Sequence, residues 1–430
     1  MNKDNKLIPE LRFPEFENEG EWKESDLGSV VEMKGRIGYR GYTTEDIVAK
    51  GKGAITLSPS NFNENGRLNF EKCTYISWTK YEESPEIQLE EGQTVLVKTA
   101  SVGKTAYVDE LPEKATVNPQ IVVLKPRTIH NRFLAFTVSH QNTQIQIRNN
   151  VGAGAIPNIS QEIISKLKIV IPPDKEKKEQ QKIASCLSSL DEVIAAHSQK
   201  LDLLKDHKKG LMQNLFPQEG EKVPKVRFKE FEKDGDWELK PFSKYIKLYR
   251  GSSPRPIVEY QTQDTSGVNW IKIGDTGSVT DFVIRSVSEK ITPKGAEKSR
   301  EVKKGELILA NSMSYGSTYL LEIEGCIYDG WFVLREYDDV FNKQFLLQLL
   351  NSEYMQNQYK KLAAGGIVQN ISSEIVYSTL LPKTSKPEQQ KIASCLSSLD
   401  ALITAQVEKI EQLQLHKKGL MQGLFPKIND

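Results

Sequence analysis

The chain has 430 residues, with 58 Lys and Arg against 57 Asp and Glu, so its formal net charge is +1; its mean hydropathy is −0.48. This length accommodates two or three domains with their own cores, and no apolar run is long enough for a membrane helix. Four cysteines without a Cys-x-x-Cys pair argue against a zinc site or a disulfide framework. Together with an opening MNKDNKLIPELRF that lacks an apolar signal core, this composition predicts a cytoplasmic protein.

In chain order, two globular regions are predicted to be distant copies of each other. LRFPEFENEGEW (residues 11–22) matches VRFKEFEKDGDW (226–237), and EGQTVLVKTASVGKTAYV (91–108) matches KGELILANSMSYGSTYLL (304–321). Short β-branched runs predict strands at 94–97, 121–124, 169–171 and 306–309, while longer segments predict helices at 132–146 and 342–361. The predicted fold is mixed α/β or α+β, occurring twice.

Each globular region is followed by a nearly identical segment. Residues 179–217 recur as residues 388–426, with 27 of 39 positions identical, from EQQKIASCLSSLD to HKKGLMQ-x-LFP. Apolar residues recur in steps of four and three, which is typical of a helix that pairs with another helix. The predicted seam consists of Ile183, Leu187, Leu190, Ile194, His197, Leu201, Leu204, Ile392, Leu396, Leu399, Ile403, Gln406, Ile410 and Leu413. Its two central polar positions, His197 and Gln406, are predicted to meet side by side.

The orientation of this helix pair follows from the length of the connecting region. Parallel helices would require the roughly 170 intervening residues to span about 50 Å, more than the width of about 40 Å expected for a domain of that size. We therefore predict an antiparallel coiled coil that separates two similar domains about a pseudo-two-fold axis. The predicted boundaries are 1–178 and 218–387 for the domains, and 179–217 and 388–426 for the helices.

Basic residues cluster in three windows without Asp or Glu, at residues 33–44, 114–161 and 239–258. Such windows arise by chance on solvated surfaces or mark anion-binding faces. Their Gly- and Ser-rich loops favour DNA contact, since Arg pairs bidentately with guanine and Ser hydrogen-bonds either groove wall. Phosphate contacts and surface ion pairs remain alternatives for each residue. The candidate DNA-binding residues are Lys34, Arg36, Tyr39, Arg40, Lys98, Ser101, Lys104, Tyr249, Arg250, Ser252, Ser253, Arg255, Asn311, Ser314 and Tyr315.

Fragments of catalytic motifs are present but incomplete. SVGKT (residues 101–105) ends like a phosphate-binding loop, but Lys98 stands where that motif requires its first glycine. NPQ (118–120) lacks the second proline and the aromatic residue of an adenine methyltransferase motif. The sequence therefore predicts a non-catalytic protein without a catalytic or metal site.

The repeated EQQKIAS-x-LSSLD and HKKGLMQ-x-LFP blocks, each after N-I-S and a Pro-bearing strand, resemble the specificity subunit of type I restriction–modification systems. This resemblance covers essentially the whole chain. It implies two target recognition domains, each of which binds one half of a bipartite site in double-stranded DNA. It also implies two methyltransferase subunits that use S-adenosylmethionine to methylate adenine, and motor-nuclease subunits that use ATP and Mg²⁺, with no cofactor on this chain.

The two helix copies also agree outside the seam, at Gln180, Ser185, Ser188, Ser189, Lys209 and Gln213. We predict that these residues are exposed and, with the LFP tails, form docking surfaces for the methyltransferase subunits. The alternative is that the copies are alike only because they pair with each other. A two-domain scaffold or regulatory DNA-binding protein outside restriction–modification is the alternative function.

Overall fold

The structure is a computed structural model that describes residues 6–36, 40–63, 66–152, 154–173, 175–277, 279–313, 316–363 and 370–427. The chain divides into two compact units. Unit 1 consists of Met1–Ala196 together with Glu411–Asp430, and unit 2 consists of His197–Ile410. Each unit therefore contains part of both long helices.

Unit 1 is an α+β structure. Its strands are β1 (Lys23–Asp26), β2 (Val31–Gly35), β3 (Ile47–Val48), β4 (Gly53–Leu57), β5 (Thr74–Ser77), β6 (Thr94–Val97), β7 (Thr105–Tyr107), β8 (Ala115–Val117), β9 (Ile121–Pro126) and β10 (Lys168–Ile171). Its helices are α1 (Leu27–Val30), α2 (Trp78–Glu82), α3 (Asn131–Ser139), α4 (Gln141–Asn149), α5 (Gln161–Ser165) and the first half of α6 (Lys178–Leu215).

The strands of unit 1 form two four-stranded sheets, ordered β2-β9-β6-β7 and β3-β5-β4-β8, and a ribbon of β1 with β10. Strand β6 is buried on both faces because it lies between two cores. Leu96 joins the helical core that contains Trp22 and Phe133, whereas Val95 and Val97 face a second core shared with β4 and β8. Alternation along the strand thus leads to two apolar layers, which explains its continuous apolar sequence.

Unit 2 repeats this plan with additional strands. Its strands are β11 (Glu238–Pro241), β12 (Lys247–Arg250), β13 (Gln261–Thr262), β14 (Val268–Ile271), β15 (Val283–Ile284), β16 (Glu289–Ile291), β17 (Arg300–Val302), β18 (Leu307–Ala310), β19 (Thr318–Leu321), β20 (Gly325–Ile327), β21 (Trp331–Arg335) and β22 (Leu380–Lys383). Its helices are α7 (Pro293–Ala296), α8 (Lys343–Leu350), α9 (Glu353–Ala363), α10 (Ser373–Ser378) and most of α11 (Lys386–Leu424).

The strands of unit 2 form two five-stranded sheets, β12-β21-β18-β19-β15 and β13-β16-β14-β20-β17, and a ribbon of β11 with β22. Strand β18 corresponds to β6, since Leu307 and Leu309 face the helical core while Ile308 and Ala310 face the second core. The predicted α+β class, present twice, is confirmed.

The long helices run antiparallel within each unit. In unit 1, Ile183 and Leu187 of α6 share a core with Leu424 of α11, and Asp191 lies 2.5 Å from Lys417. Residues near the start of one helix therefore meet residues near the end of the other.

Unit 2 has the same arrangement with the helices exchanged. Leu215 of α6 shares a core with Ile392 and Leu396 of α11, and Lys208 lies 2.6 Å from Asp400.

Both predicted helices of the globular regions are broken in the structure. The first is interrupted at His140, whose backbone is extended with ψ of 148° and whose Nδ1 accepts a hydrogen bond from the backbone N–H of Asn142. The second is interrupted at Asn351, whose side chain accepts from the backbone N–H of Thr318 and donates to its carbonyl. The His140 side chain thus satisfies a backbone N–H in the first turn of α4, and the Asn351 side chain ties the second break to β19. Because these contacts depend on individual side chains, helical periodicity alone did not locate the breaks.

The LFP tails are core elements, contrary to the prediction that they are docking surfaces. Phe425 is 2% exposed and stacks on Phe133, with 5.3 Å between ring centroids, and Phe216 is fully buried against Phe345. Gln180 is also buried rather than exposed, because its side chain accepts a hydrogen bond from the backbone N–H of His130.

Among the described residues, no helix has both the length and the apolar character that crossing a membrane requires.

Candidate nucleic-acid interface

Two of the predicted DNA-contact loops meet at one edge of the main sheet of unit 1. Strands β2 and β6 both pair antiparallel with β9, and their last residues, Gly35 and Val97, lie opposite Val122 and Ile121. The loops that follow β2 and β6 therefore emerge side by side. Loop edge 1 denotes these loop residues (34–36, 40 and 98–104) with residues 118–121.

Unit 2 presents the same edge. Strands β12 and β18 end at Arg250 and Ala310, opposite Phe332 and Trp331 of β21. Loop edge 2 denotes residues 249–256, 311–313 and 328–331. The structure thus brings together, in each unit, two segments that the sequence analysis selected separately.

The cations of loop edge 1 differ in exposure. Arg36 is 5% exposed, and its guanidinium donates to the carbonyls of Val117 and Arg40. Burial lowers the pKa of Arg36, although a guanidinium remains charged at neutral pH. Arg36 therefore holds the loop in place. Lys104 is exposed, and Lys98 is half-buried.

Two further cations of this edge are engaged in ion pairs. Lys34 lies 3.1 Å from Glu32 and lowers the pKa of that carboxyl group. Arg40 lies 3.5 Å from Glu86. Both pairs are partly exposed, and such pairs are weak enough for a phosphate to compete for the cation. Ser101 is exposed, whereas Tyr39 lies outside the described residues.

Asp329 organises loop edge 2, although it is not among the residues predicted to contact DNA. Its carboxylate accepts from the Ser253 hydroxyl at 2.7 Å and lies 3.8 Å from Arg255. Its backbone carbonyl accepts from Arg250 Nε at 3.2 Å and from Asn311 Nδ2 at 2.9 Å. An aspartate between two strands has no local signal, so only the folded edge indicates its role.

The remaining candidates of unit 2 divide into anchored and accessible groups. Tyr249 donates its hydroxyl to Glu336, and Ser252 donates to the carbonyl of Lys298. Asn311 is 4% exposed, so it supports the loop. By contrast, the side chain of Arg255 is 83% exposed, which leaves it able to reach a base or a phosphate. Ser314 and Tyr315 lie outside the described residues.

The second loop of each edge is fastened to the helices by an equivalent glutamine. Gln144 donates to the carbonyls of Gly103 and Val138, and Gln356 donates to those of Gly316 and Leu350. Gly103 and Gly316 have φ of +94° and +87°, a conformation that favours glycine. These loops are therefore built to a common plan while the side chains that they present differ.

The central polar positions of the helix pair meet within unit 2. Gln406 Nε2 lies 2.6 Å from His197 Nδ1 and donates to the His197 carbonyl at 2.8 Å. The other predicted seam residues are buried or half-buried, and none is exposed.

In the part of the chain that the structure describes, no group of three His, Cys, Asp or Glu residues is placed to hold a metal ion.

Comparison with known proteins relates these units to one family. The model of the type I restriction modification DNA specificity domain matches residues 19–206 and 244–415. The MjaVIII specificity subunit of Methanocaldococcus jannaschii is 25% identical over 293 residues, which cover 65% of this chain and 66% of that protein. The MjaX specificity subunit of the same organism is 23% identical over 419 residues, covering 94% and 93% of the two chains.

Solved structures share the fold. The S subunit of a type I restriction–modification system from M. genitalium superposes with a TM-score of 0.58 at 14% identity, covering 98% of this chain and 100% of that one. A chain from a type I R-M complex has a TM-score of 0.59 at 15% identity, covering 94% and 97%. The chain therefore belongs to the type I restriction–modification DNA specificity family, and its function is that of the DNA specificity subunit.

Proposed function

We propose that each unit recognises one half of a bipartite DNA site through its loop edge, and that the paired helices determine the number of base pairs between the halves. One observation carries this proposal: the same loop edge recurs in both units with different exposed side chains, such as Lys104 in unit 1 and Arg255 in unit 2. A common scaffold with different contact residues suits two unlike half-sites.

We assign the methylation and restriction reactions to partner subunits. Specificity subunits of type I systems act with other restriction–modification subunits and DNA. We propose two methyltransferase subunits that use S-adenosylmethionine to methylate adenine, and restriction subunits that use ATP and Mg²⁺. Ser185, Ser189 and Lys209 are exposed and identical in the two helix copies, which supports equivalent docking of two like partners.

Sequencing that detects methylated bases tests this function directly. The chain is expressed with its methyltransferase subunit in cells that otherwise lack adenine methylation, and a single bipartite motif with a fixed gap is expected. The double variant Arg250→Ala/Arg255→Ala is expected to weaken methylation of this motif by about 1 to 3 kcal/mol per lost base contact. A continuous motif, or no methylation despite assembly with the partner, would contradict the proposal.

A further inference from the structure

A buried ion pair joins the first segment of unit 1 to the first turn of α6. Arg12 Nε and Nη2 donate to the two carboxylate oxygens of Glu179, each at 2.8 Å. The side chains are 6% and 1% exposed. Trp22 Nε1 donates to the same carboxylate at 3.3 Å, and Arg12 Nη1 donates to the Gly20 carbonyl at 2.6 Å. We call this bidentate pairing of one guanidinium with one carboxylate the arginine fork. The start of α6 is therefore held by the arginine fork and by a third donor, the Trp22 indole N–H.

Unit 2 has the same fork. Arg227 Nε and Nη2 donate to Glu388 at 2.8 Å each, and the side chains are 7% and 0% exposed. The third donor differs, because the indole N–H of Trp237 has no hydrogen-bond partner among the described residues, and the Thr384 hydroxyl bonds Glu388 instead. The arginine fork is thus retained where its surroundings have changed.

The next residue of each helix contacts a different part of the globular region. Gln180 Oε1 accepts from the backbone N–H of His130 at 2.9 Å, just before α3. Gln389 Oε1 accepts from the backbone N–H of Asn342 at 2.7 Å, just before α8. Two consecutive side chains therefore fasten each helix start at two separate points, which restricts rotation as well as displacement.

Stability alone does not account for burying such a pair. Replacing a buried ion pair by apolar residues of similar volume is often neutral or stabilising, because desolvation offsets the attraction. A bidentate guanidinium–carboxylate pair differs from an apolar contact in its fixed planar geometry. The repeated fork therefore indicates a constraint on angle.

We propose that Arg12–Glu179 and Arg227–Glu388 are positioning pairs that fix the angle between each loop edge and its helix, and thereby restrict the permitted gap between half-sites. This inference rests on the proposed function. One added base pair moves a half-site by about 3.4 Å and rotates it by about 35°. A recognition domain held rigidly at its helix start cannot follow that rotation.

The test measures methylation of duplexes whose gap is native, or shorter or longer by one or two base pairs. Purified complexes with the methyltransferase subunit carry wild-type chain, Glu179→Gln, or the double variant Arg12→Met/Glu179→Leu. For both variants we expect the preference for the native gap over its neighbours to fall about tenfold, since less DNA deformation is then needed. The preferred half-site sequences should not change.

A matched control breaks an exposed pair between the same two segments. Lys182 lies 3.0 Å from Glu15, and the side chains are 51% and 46% exposed. Lys182→Gln is expected to keep the wild-type gap preference. The double variant keeps the test decisive if Glu179→Gln does not fold, and thermal unfolding identifies the folded variants.

Two results overturn the inference, and they differ from each other. Folded variants that keep the wild-type preference for one gap would show that the pairs only stabilise the fold. A wild-type complex without any gap preference would instead contradict the proposed function, on which the inference rests.

Discussion

Single buried polar residues determine where the elements of unit 1 begin and end. His140 is 6% exposed, separates α3 from α4, and stacks on Phe425 with 4.8 Å between ring centroids. Its Nδ1 accepts a hydrogen bond from Asn142, so the ring is neutral in the folded state. Burial lowers the pKa of His140 to about 4.

This shift predicts a pH-dependent stability. The folded pKa lies below the ordinary value of 6.5, so the unfolded chain takes up a proton between pH 6.5 and 4 that the folded chain does not. The contribution of neutral, buried His140 to the free energy of unfolding is therefore fully present above pH 6.5. It falls as the pH decreases from 6.5 to 4, by roughly 3 kcal/mol in total. His140→Asn retains a capping side chain, and denaturant unfolding across this range should show a flatter pH dependence for it. Equal slopes for both proteins would refute the assignment.

The helix pair contains buried charges beside its apolar seam. In unit 2, Lys208 lies 2.6 Å from Asp400, and the side chains are 9% and 19% exposed. Gln348 donates to the other oxygen of Asp400 at 2.9 Å. In unit 1, Lys417 pairs with Asp191 at the equivalent position. These pairs define which residues of the two helices lie opposite each other.

Removing one partner of this pair should destabilise unit 2. Asp400→Leu leaves the Lys208 ammonium buried without its carboxylate, and we expect a loss of about 3 to 5 kcal/mol. The double variant Lys208→Met/Asp400→Leu should recover most of it, because no unpaired charge remains. Glu219→Gln, which breaks the exposed Lys361–Glu219 pair, is the control and should cost less than about 1 kcal/mol. Denaturant-induced unfolding measures the stability of each variant. Equal unfolding midpoints for Asp400→Leu and the control would contradict the expectation.

At the scale of the whole molecule, each unit is completed by a distant part of the chain. The core of unit 1 includes Leu424, the last residue of α11, and Phe425, which follows it. The core of unit 2 includes Leu215, the last residue of α6, and Phe216, which follows it. Both long helices therefore contribute residues to both units.

An added helical turn should change the preferred gap. Four residues inserted after Lys200 in α6 add about 6 Å. Since a base pair rises about 3.4 Å, the methylated motif is expected to lengthen by one or two base pairs. A second variant carries a matching insertion after Lys409 in α11, which preserves the helix pairing. The same insertion after the exposed turn residue Gly220 should leave the gap unchanged. Sequencing of methylated DNA reads the motif, and an unchanged gap in both helix variants would count against the role of the helices.

The sequence alone determined the duplication, the α+β class, the antiparallel pairing and the family. The duplication and the family rest on long repeated segments, the fold class on the pattern of predicted strands and helices, and the antiparallel pairing on the length of the region between the two long helices. The loops that follow β2, β6, β12 and β18 were also selected from composition. The tertiary structure decided which loop cations are available: Arg36 is buried and Arg255 exposed, although both stand in similar basic windows. It also decided the helix breaks and the partners of Asp329 and Glu179, since these depend on contacts between residues far apart in the chain, which local patterns do not encode.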